Sequence, residues 1–131
     1  ESLHAAYPMR MSARDLARFG LLYLRGGQWA GQQVVPAAWV RQSLEPHSDT
    51  GVDGGYGYMW WVSVDGRHLP SIQVPAGTFA AQGYGGHMMV VVPAYDLVVV
   101  HRVNTDVASN VVSDAQFAKL LELILDARTA P

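Results

Sequence analysis

Two consecutive apolar segments near the C-terminal end constrain the fold of this chain more than any other feature of its sequence. Residues 88–92 read MMVVV and residues 97–103 read LVVVHRV, and only four residues, PAYD, separate them. Short β-branched runs joined by such a loop predict an antiparallel β-hairpin. Both strands are apolar at odd and at even positions, which is typical of a sheet that is buried on both faces. The sequence therefore predicts a sheet that other elements cover on both sides.

The predicted helices decide what could cover this sheet. Ser12 followed by Asp15 predicts a helix N-terminus, and a pair of glycines at 26–27 ends that helix. A short second helix is predicted after Pro36, and a closing helix follows Ser113 and Gln116, which form a capping-box pair. The closing helix alone covers only part of one face. Either the first helices fold back over the sheet, or a part of the protein outside this chain covers it.

Between these helices the pattern changes from helical to strand-like. Residues 47–55, HSDTGVDGG, predict a loop, and Asp65-Gly66 predicts a hairpin turn between two further β segments. The first of those segments is dense in aromatic residues, which we interpret as core packing, with a ligand-stacking surface as the alternative: Tyr56, Tyr58, Trp60 and Trp61. The order of elements predicts an α/β protein of the α+β type, an antiparallel sheet flanked by helices.

Composition excludes several classes of function. The chain has nine Lys+Arg residues, a formal net charge of −2 and no cysteine. It therefore lacks the basic surface that nucleic-acid binding requires, and it can form neither a disulfide nor a thiolate zinc site. No apolar run reaches the roughly 20 residues that a membrane-spanning helix needs. These observations leave the cellular compartment open.

The five histidines offer no metal site at the sequence level. None belongs to an H-E-x-x-H motif. If the predicted hairpin pairs Val92 with Leu97, His101 lies opposite Met88, and His87 and His101 point to opposite faces of the sheet. A metal ion shared by these two histidines is then excluded, and we expect neither a metal nor another cofactor.

A glycine cluster, GYGG at residues 83–86, lies directly before the first apolar strand. It is not a phosphate-binding loop, because it lacks the G-x-x-x-x-G-K-[ST] pattern and is followed by a strand instead of a helix. Two interpretations are open. The cluster is a tight turn, or it leaves the entrance of the strand bare so that a substrate backbone lies beside it and backbone N–H groups bind a carbonyl oxygen or an oxyanion.

The order and spacing of three segments resemble a known family of hydrolases. MSARDLARFGLLYLRGG, YGYMWWV and QGYGGHMMVVVPAYDLVVVHRVN are similar to the C-terminal portion of the serine β-lactamase and penicillin-binding-protein-like hydrolases, and in particular to the class C β-lactamase-related esterases and amide hydrolases. The resemblance implies a β-lactamase/transpeptidase-like fold. Residues 1–131 would be a single partial domain, with a helical segment over residues 1–46 and the last sheet strands plus the closing helix over residues 55–131.

The resemblance also implies roles for the glycine cluster. Tyr84, Gly85 and Gly86 match the third active-site motif of this family, K-T-G or a variant of it, and would bind substrate. Tyr84 stands where the family has lysine or histidine, and the missing positive charge argues against carboxylate-bearing β-lactam substrates. His87, the next residue, would contribute its backbone N–H group to an oxyanion hole.

The other two motifs of the family are missing from this sequence. No serine begins an S-x-x-K motif, no tyrosine is followed two positions later by asparagine, and the chain begins with Glu1 instead of methionine. We therefore expect the C-terminal part of a serine hydrolase that cleaves ester or amide bonds of a small-molecule substrate through an acyl-enzyme. The chain would be inactive alone. Its partners would be the missing N-terminal part of the same protein or, through an uncovered face of the sheet, a second copy.

An alternative function is open as well. The same scaffold without its nucleophile would serve as a non-catalytic binding or interaction module. The two hypotheses differ in what precedes Glu1 in the full reading frame, since only the enzyme requires an S-x-x-K motif there.

Overall fold

The computed structural model describes residues 11–69 and 72–128 of the chain. The first half of this part contains two helices and a small hairpin, in the order α1 (Ala13–Leu24), β1 (Gln28–Trp29), β2 (Gln32–Gln33) and α2 (Ala37–Ser43). Short strands follow: β3 (Ser48–Asp49), β4 (Gly55–Tyr56), β5 (Trp61–Val62), β6 (Arg67–Leu69) and β7 (Ile72–Gln73). The last elements are β8 (Phe79–Gly83), β9 (His87–Val92), β10 (Leu97–His101) and α3 (Asp114–Asp126).

The strands form one large antiparallel sheet. Its order is β10-β9-β8-β5-β4-β3, while β6 pairs with β7 in a separate two-stranded sheet. Helices pack on this sheet instead of alternating with parallel strands, so the predicted α+β fold class is confirmed. Within the described ranges, no helix has the length and hydrophobicity needed to cross a membrane.

The β9–β10 hairpin has the register predicted from its sequence. Leu97 pairs with Val92, and His101 pairs with Met88. The connection is a single 3₁₀ turn over Pro93–Tyr95, closed by Asp96, which has the left-handed φ of 50° and donates its N–H to the carbonyl of Pro93 at 3.1 Å. The four-residue loop therefore fixes which side chains of both strands share a face.

Both faces of β9 are buried, each under a different helix. Met88, Val90 and Val92 pack with residues of α3, and Met89 and Val91 pack with residues of α1. All five are at most 1% exposed. Of the two alternatives left by the sequence, α1 folding back over the sheet is the one observed. The uncovered sheet face expected beside the closing helix is therefore absent at β9.

Helix α1 has the start and the end that its sequence predicts. The Ser12 side chain accepts a hydrogen bond from the backbone N–H of Asp15 at 3.1 Å. At the other end, glycine follows the C-cap residue Arg25. The guanidinium of Arg25 donates to both carboxylate oxygens of Asp96 at 2.6 and 2.9 Å, joining the end of α1 to the β9–β10 turn. Because both groups are largely exposed, water and salt screen this ion pair, so it positions the turn more than it stabilises the fold.

The structure corrects the predicted strands in the middle of the chain. The aromatic segment is two strands instead of one, because the chain turns between Tyr56 and Trp61, where Gly57 donates its N–H to the carbonyl of Trp60 at 2.8 Å. The predicted loop at 47–55 contains edge strand β3. Strand β8 was not predicted, since its sequence FAAQG has few β-branched residues and pairing with β5 and β9 holds it in place.

Gly20 sets how closely α1 approaches the sheet. A Cβ atom at this position would lie 2.8 Å from Cγ1 of Val98 and 3.0 Å from Sδ of Met89. We expect Gly20→Val to destabilise the chain by about 1–3 kcal/mol, because the larger side chain overpacks this contact. Urea unfolding followed by circular dichroism measures the change. Ala13→Val, at an exposed position of the same helix, is the control and should cost well under 1 kcal/mol.

His68 in β6 is a fully buried histidine without a visible partner. It is 0% exposed, and neither ring nitrogen has a hydrogen-bond partner among the described residues. Burial lowers the pKa of His68 from 6.5 to about 4, because the charged form would lose its hydration. The folded chain therefore holds a neutral imidazole at pH values where the unfolded chain binds a proton.

The folded chain should lose stability as the pH falls from about 6.5 to about 4, because only the unfolded state takes up the His68 proton in that window. Above about pH 6.5 the imidazole of His68 is neutral in the folded and in the unfolded chain, so this loss of folding stability is absent there. We expect the free energy of unfolding to fall by about 2–3 kcal/mol more between pH 7.5 and pH 4.5 in the wild type than in His68→Leu. Urea titrations at the two pH values give this difference directly, and equal losses in the two proteins would contradict the assignment.

Candidate functional site

A cavity of about 330 Å³ lies where β8 and β9 meet the start of α3. Its wall combines the glycine turn, an aromatic ring and the segment before α3: Trp61, Gln82, Gly83, Tyr84, Gly85, Gly86, Met88, Val111, Val112 and Asp114. Tyr84, Gly85 and Gly86, the predicted substrate-binding motif, all line this cavity. The wall contains no serine, cysteine, lysine or histidine among the described residues.

The glycine turn joins β8 to β9. Tyr84–Gly86 form a 3₁₀ turn in which Gly85 and Gly86 have φ values of 77° and 94°. A Cβ at Gly86 would lie 2.7 Å from the carbonyl oxygen of Val112, and a Cβ at Gly85 would lie 2.5 Å from Cγ2 of Thr105. Backbone conformation and close contact both require glycine here. The tight-turn interpretation of the cluster is therefore correct.

The other interpretation, with a substrate backbone beside the entrance of β9, stays a prediction, and strand pairing restricts it to that entrance. β8 pairs with β9 over His87–Val91, and β10 pairs with it over Met88–Val92, so both edges of β9 are taken over Met88–Val91. No edge of β9 is left for a third backbone along these residues. Strand β8 differs, because β5 pairs only with Phe79 and Ala80, so residues 81–83 extend past β5. Residues 81–83, at the end of β8, therefore have one strand edge beside the cavity that has no partner in the described sheet.

Two hydrogen bonds hold the glycine turn in place. The Nδ1 of His101 lies 2.7 Å from the carbonyl oxygen of Gly86, so this nitrogen carries the proton and donates it. The backbone N–H of Val112 donates to the carbonyl of Gly85 at 3.1 Å. The ring of His101 also packs on Phe117 of α3, with centroids 5.5 Å apart. Sequence reasoning treated His101 as an ordinary histidine, although its predicted register beside Met88 already placed it near the turn.

The side chain of His87 lies on the other face of the sheet. Its Nδ1 accepts a hydrogen bond from the backbone N–H of Val103 at 3.2 Å. Partial burial, together with the charges of Arg102 and His101, lowers the pKa of His87, so the ring is neutral at pH 7 and its proton is on Nε2. The imidazole is thus engaged away from the cavity. The predicted oxyanion role of its backbone N–H stays a prediction.

The remaining sequence candidates are distributed over the surface and the core. Tyr84 is 82% exposed at the rim of the cavity. Trp60 is buried against Tyr23 and Phe79, as expected for core packing, whereas Trp61 lines the cavity. Within residues 11–69 and 72–128, no three His, Cys, Asp or Glu side chains are grouped as metal ligands would be.

A comparison with protein families assigns the chain. The family model described as Beta-lactamase matches residues 2–123. The chain belongs to the Beta-lactamase family. The resemblance deduced from its sequence motifs is therefore confirmed at the level of the family.

Proteins of similar sequence or structure are much longer than this chain. An uncharacterized protein of Alkalihalophilus pseudofirmus is 28% identical in an alignment of 106 positions, which covers 74% of this chain and 30% of that protein. A Bacillus anthracis protein whose name provisionally assigns it as a 6-aminohexanoate-dimer hydrolase superposes with a TM-score of 0.57 at 24% identity, over 86% of this chain and 27% of that one. The latter likeness confirms the fold, and the chain spans less than a third of either relative.

The Beta-lactamase-family cavity depends on the hydrogen bond between His101 and Gly86. We expect His101→Phe, which keeps the contact with Phe117 but cannot donate, to speed amide hydrogen exchange at residues 84–87 about fivefold, because one net hydrogen bond contributes about 1 kcal/mol. Exchange measured by mass spectrometry reports this change. His47→Phe is the matched control, since His47 also bonds a carbonyl, that of Gln42, outside this cavity; an equal effect there would contradict the role of His101.

Proposed function

We propose that this chain forms the substrate-binding wall of a serine hydrolase that cleaves ester or amide bonds through an acyl-enzyme. The observation that carries the proposal is the cavity at the end of β8. It joins an unpaired strand end to a glycine turn whose conformation is held by His101 and Val112. Rigid backbone of this kind suits the binding of a carbonyl group whose oxygen gains negative charge during acyl transfer.

The chemistry would be divided between this chain and the rest of the protein. A serine outside residues 1–131 would attack the carbonyl carbon, and its proton would pass through a base to the leaving alcohol or amine. The backbone N–H of His87 would donate to the oxyanion, and the free end of β8 would bind the acyl side of the substrate by main-chain hydrogen bonds. Water would then cleave the acyl-enzyme and regenerate the serine.

The charge of the cavity wall supports neutral or cationic substrates over anionic ones. Asp114 is the only ionisable carboxylate in the wall, which contains no lysine, arginine or histidine among the described residues. A substrate carboxylate at this wall would find no cationic partner and would face the charge of Asp114. This agrees with the tyrosine, instead of lysine, at position 84.

A second candidate function has one observation in its favour. The cavity wall contains no serine, cysteine, lysine or histidine among the described residues, as expected for a non-catalytic binding module. The reading frame around this segment separates the two candidates. An S-x-x-K motif upstream supports the hydrolase, and its absence there supports the module.

We expect the isolated 131-residue chain to show no turnover of p-nitrophenyl acetate or nitrocefin and no labelling by a fluorophosphonate probe, because its sequence contains no S-x-x-K motif. Mass spectrometry of the labelled chain is the decisive measurement. Stoichiometric labelling of a serine within residues 1–131 would contradict the proposed division of the site.

The longer protein tests the wall itself. Gly86→Val in a full-length hydrolase should lower kcat/KM for the ester by more than 100-fold, because the new side chain would clash with the Val112 backbone and displace the turn. Gly77→Val is the control, since a Cβ there has no atom within 4 Å although its φ is also positive. Similar losses in both variants would assign the effect to general destabilisation.

A further inference from the structure

Residues 102–113 connect β10 to α3 and lie against the glycine turn. Most neighbouring elements are joined by roughly 4–6 residues, and connections of about 12 or more are often functional. A Cβ at Gly85 would lie 2.5 Å from Cγ2 of Thr105, and the carbonyl of Gly85 accepts from the N–H of Val112 at 3.1 Å. Val111 and Val112 also line the candidate cavity. The conformation of this connection therefore bears on both the turn and the cavity.

The hydrogen bonds that shape the start of this connection converge on Asn104. Its side-chain Oδ1 accepts from the backbone N–H of Asp106 at 3.1 Å, which is the hydrogen bond of an Asx turn. Its backbone carbonyl accepts from the N–H of Val107 and from Nδ2 of Asn110, both at 3.4 Å. Since a backbone N–H only donates, the amide atom that faces Asp106 is the oxygen. Asn104 thus folds the start of the connection back on itself.

Asn104 is separate from both the core and the cavity. Its side chain is exposed, and it belongs neither to the two apolar clusters nor to the described wall of the cavity. An influence of this residue on the site must therefore pass through the segment that it folds, residues 105–112. For the same reason, loss of its side-chain hydrogen bond leaves the packing of the sheet in place.

We propose that Asn104 is a positioning residue of the candidate site, and its consequence for turnover rests on the function proposed above. Through its Asx turn it holds residues 105–112 so that Thr105 and Val112 both contact Gly85. The acting group is the acceptor oxygen of the side chain, because this oxygen binds the N–H two residues further on. Aspartate at position 104 supplies the same acceptor, whereas leucine has a similar shape and no acceptor.

Hydrogen exchange of single amides, measured by two-dimensional NMR on the 131-residue chain, tests this role. In Asn104→Leu the amide of Asp106 loses its acceptor and should exchange faster. The amide of Val112, which is bound to Gly85, should also exchange about fivefold faster, because one net hydrogen bond shifts a local opening equilibrium by about that factor. Faster exchange at Asp106 with an unchanged rate at Val112 overturns the proposal, since the effect would then end within the Asx turn.

Two further variants separate the acceptor oxygen from a general effect on the fold. Asn104→Asp should keep the exchange rate of the Val112 amide within about twofold of the wild type, because the acceptor is retained. Asp49→Leu is the matched control, since Oδ1 of Asp49 accepts from the N–H of Gly51 at 2.8 Å in the same kind of turn, in the edge strand β3. The control should leave the Val112 amide unchanged. Exchange at Val112 as fast in either variant as in Asn104→Leu overturns the proposal.

Ester turnover by the full-length protein tests the consequence for the site. Asn104→Leu should lower kcat about fivefold and change KM little, because a displaced turn binds less well the charge that develops only in the transition state. Asn104→Asp should restore kcat. An unchanged kcat in Asn104→Leu, with an active wild type, overturns the positioning role. An inactive wild type overturns the proposed function instead, and the exchange rate at Val112 then decides the role of Asn104.

Discussion

Strand β9 is paired along both edges and buried on both faces, and the other elements are placed with respect to it. β8 and β10 take its edges, α3 covers Met88, Val90 and Val92, and α1 covers Met89 and Val91. A strand in this position has no exposed apolar surface left. The glycine turn before His87 is therefore attached to a strand that its neighbours hold at both edges and on both faces.

The proposed role of the glycine turn requires backbone groups that keep their orientation. A backbone N–H group stabilises negative charge well only when it needs no reorientation as the charge develops. Here the turn is clamped between the start of β9, the Nδ1–H of His101 and the N–H of Val112. The relatives matched in sequence and structure are much longer, since this chain covers only 30% and 27% of their lengths.

The proposed function divides the site into a part that positions the substrate, in this chain, and a part that reacts, outside it. This chain supplies backbone, an aromatic ring and one carboxylate at the cavity, while the proposed nucleophile lies outside it. In the proposed function the turn acts through main-chain groups, and the positive φ values of Gly85 and Gly86 allow its conformation.

The sequence by itself determined the features that depend on local chemistry: the caps of α1 and α3 at Ser12 and Ser113, the β9–β10 register and the family motifs. These are set by residues a few positions apart. Tertiary structure alone decided that β8 is a strand, that the open backbone belongs to β8 instead of β9, and that His101 holds the turn. Each of these depends on contacts between residues distant in sequence, for which FAAQG and an isolated histidine carry no local signal.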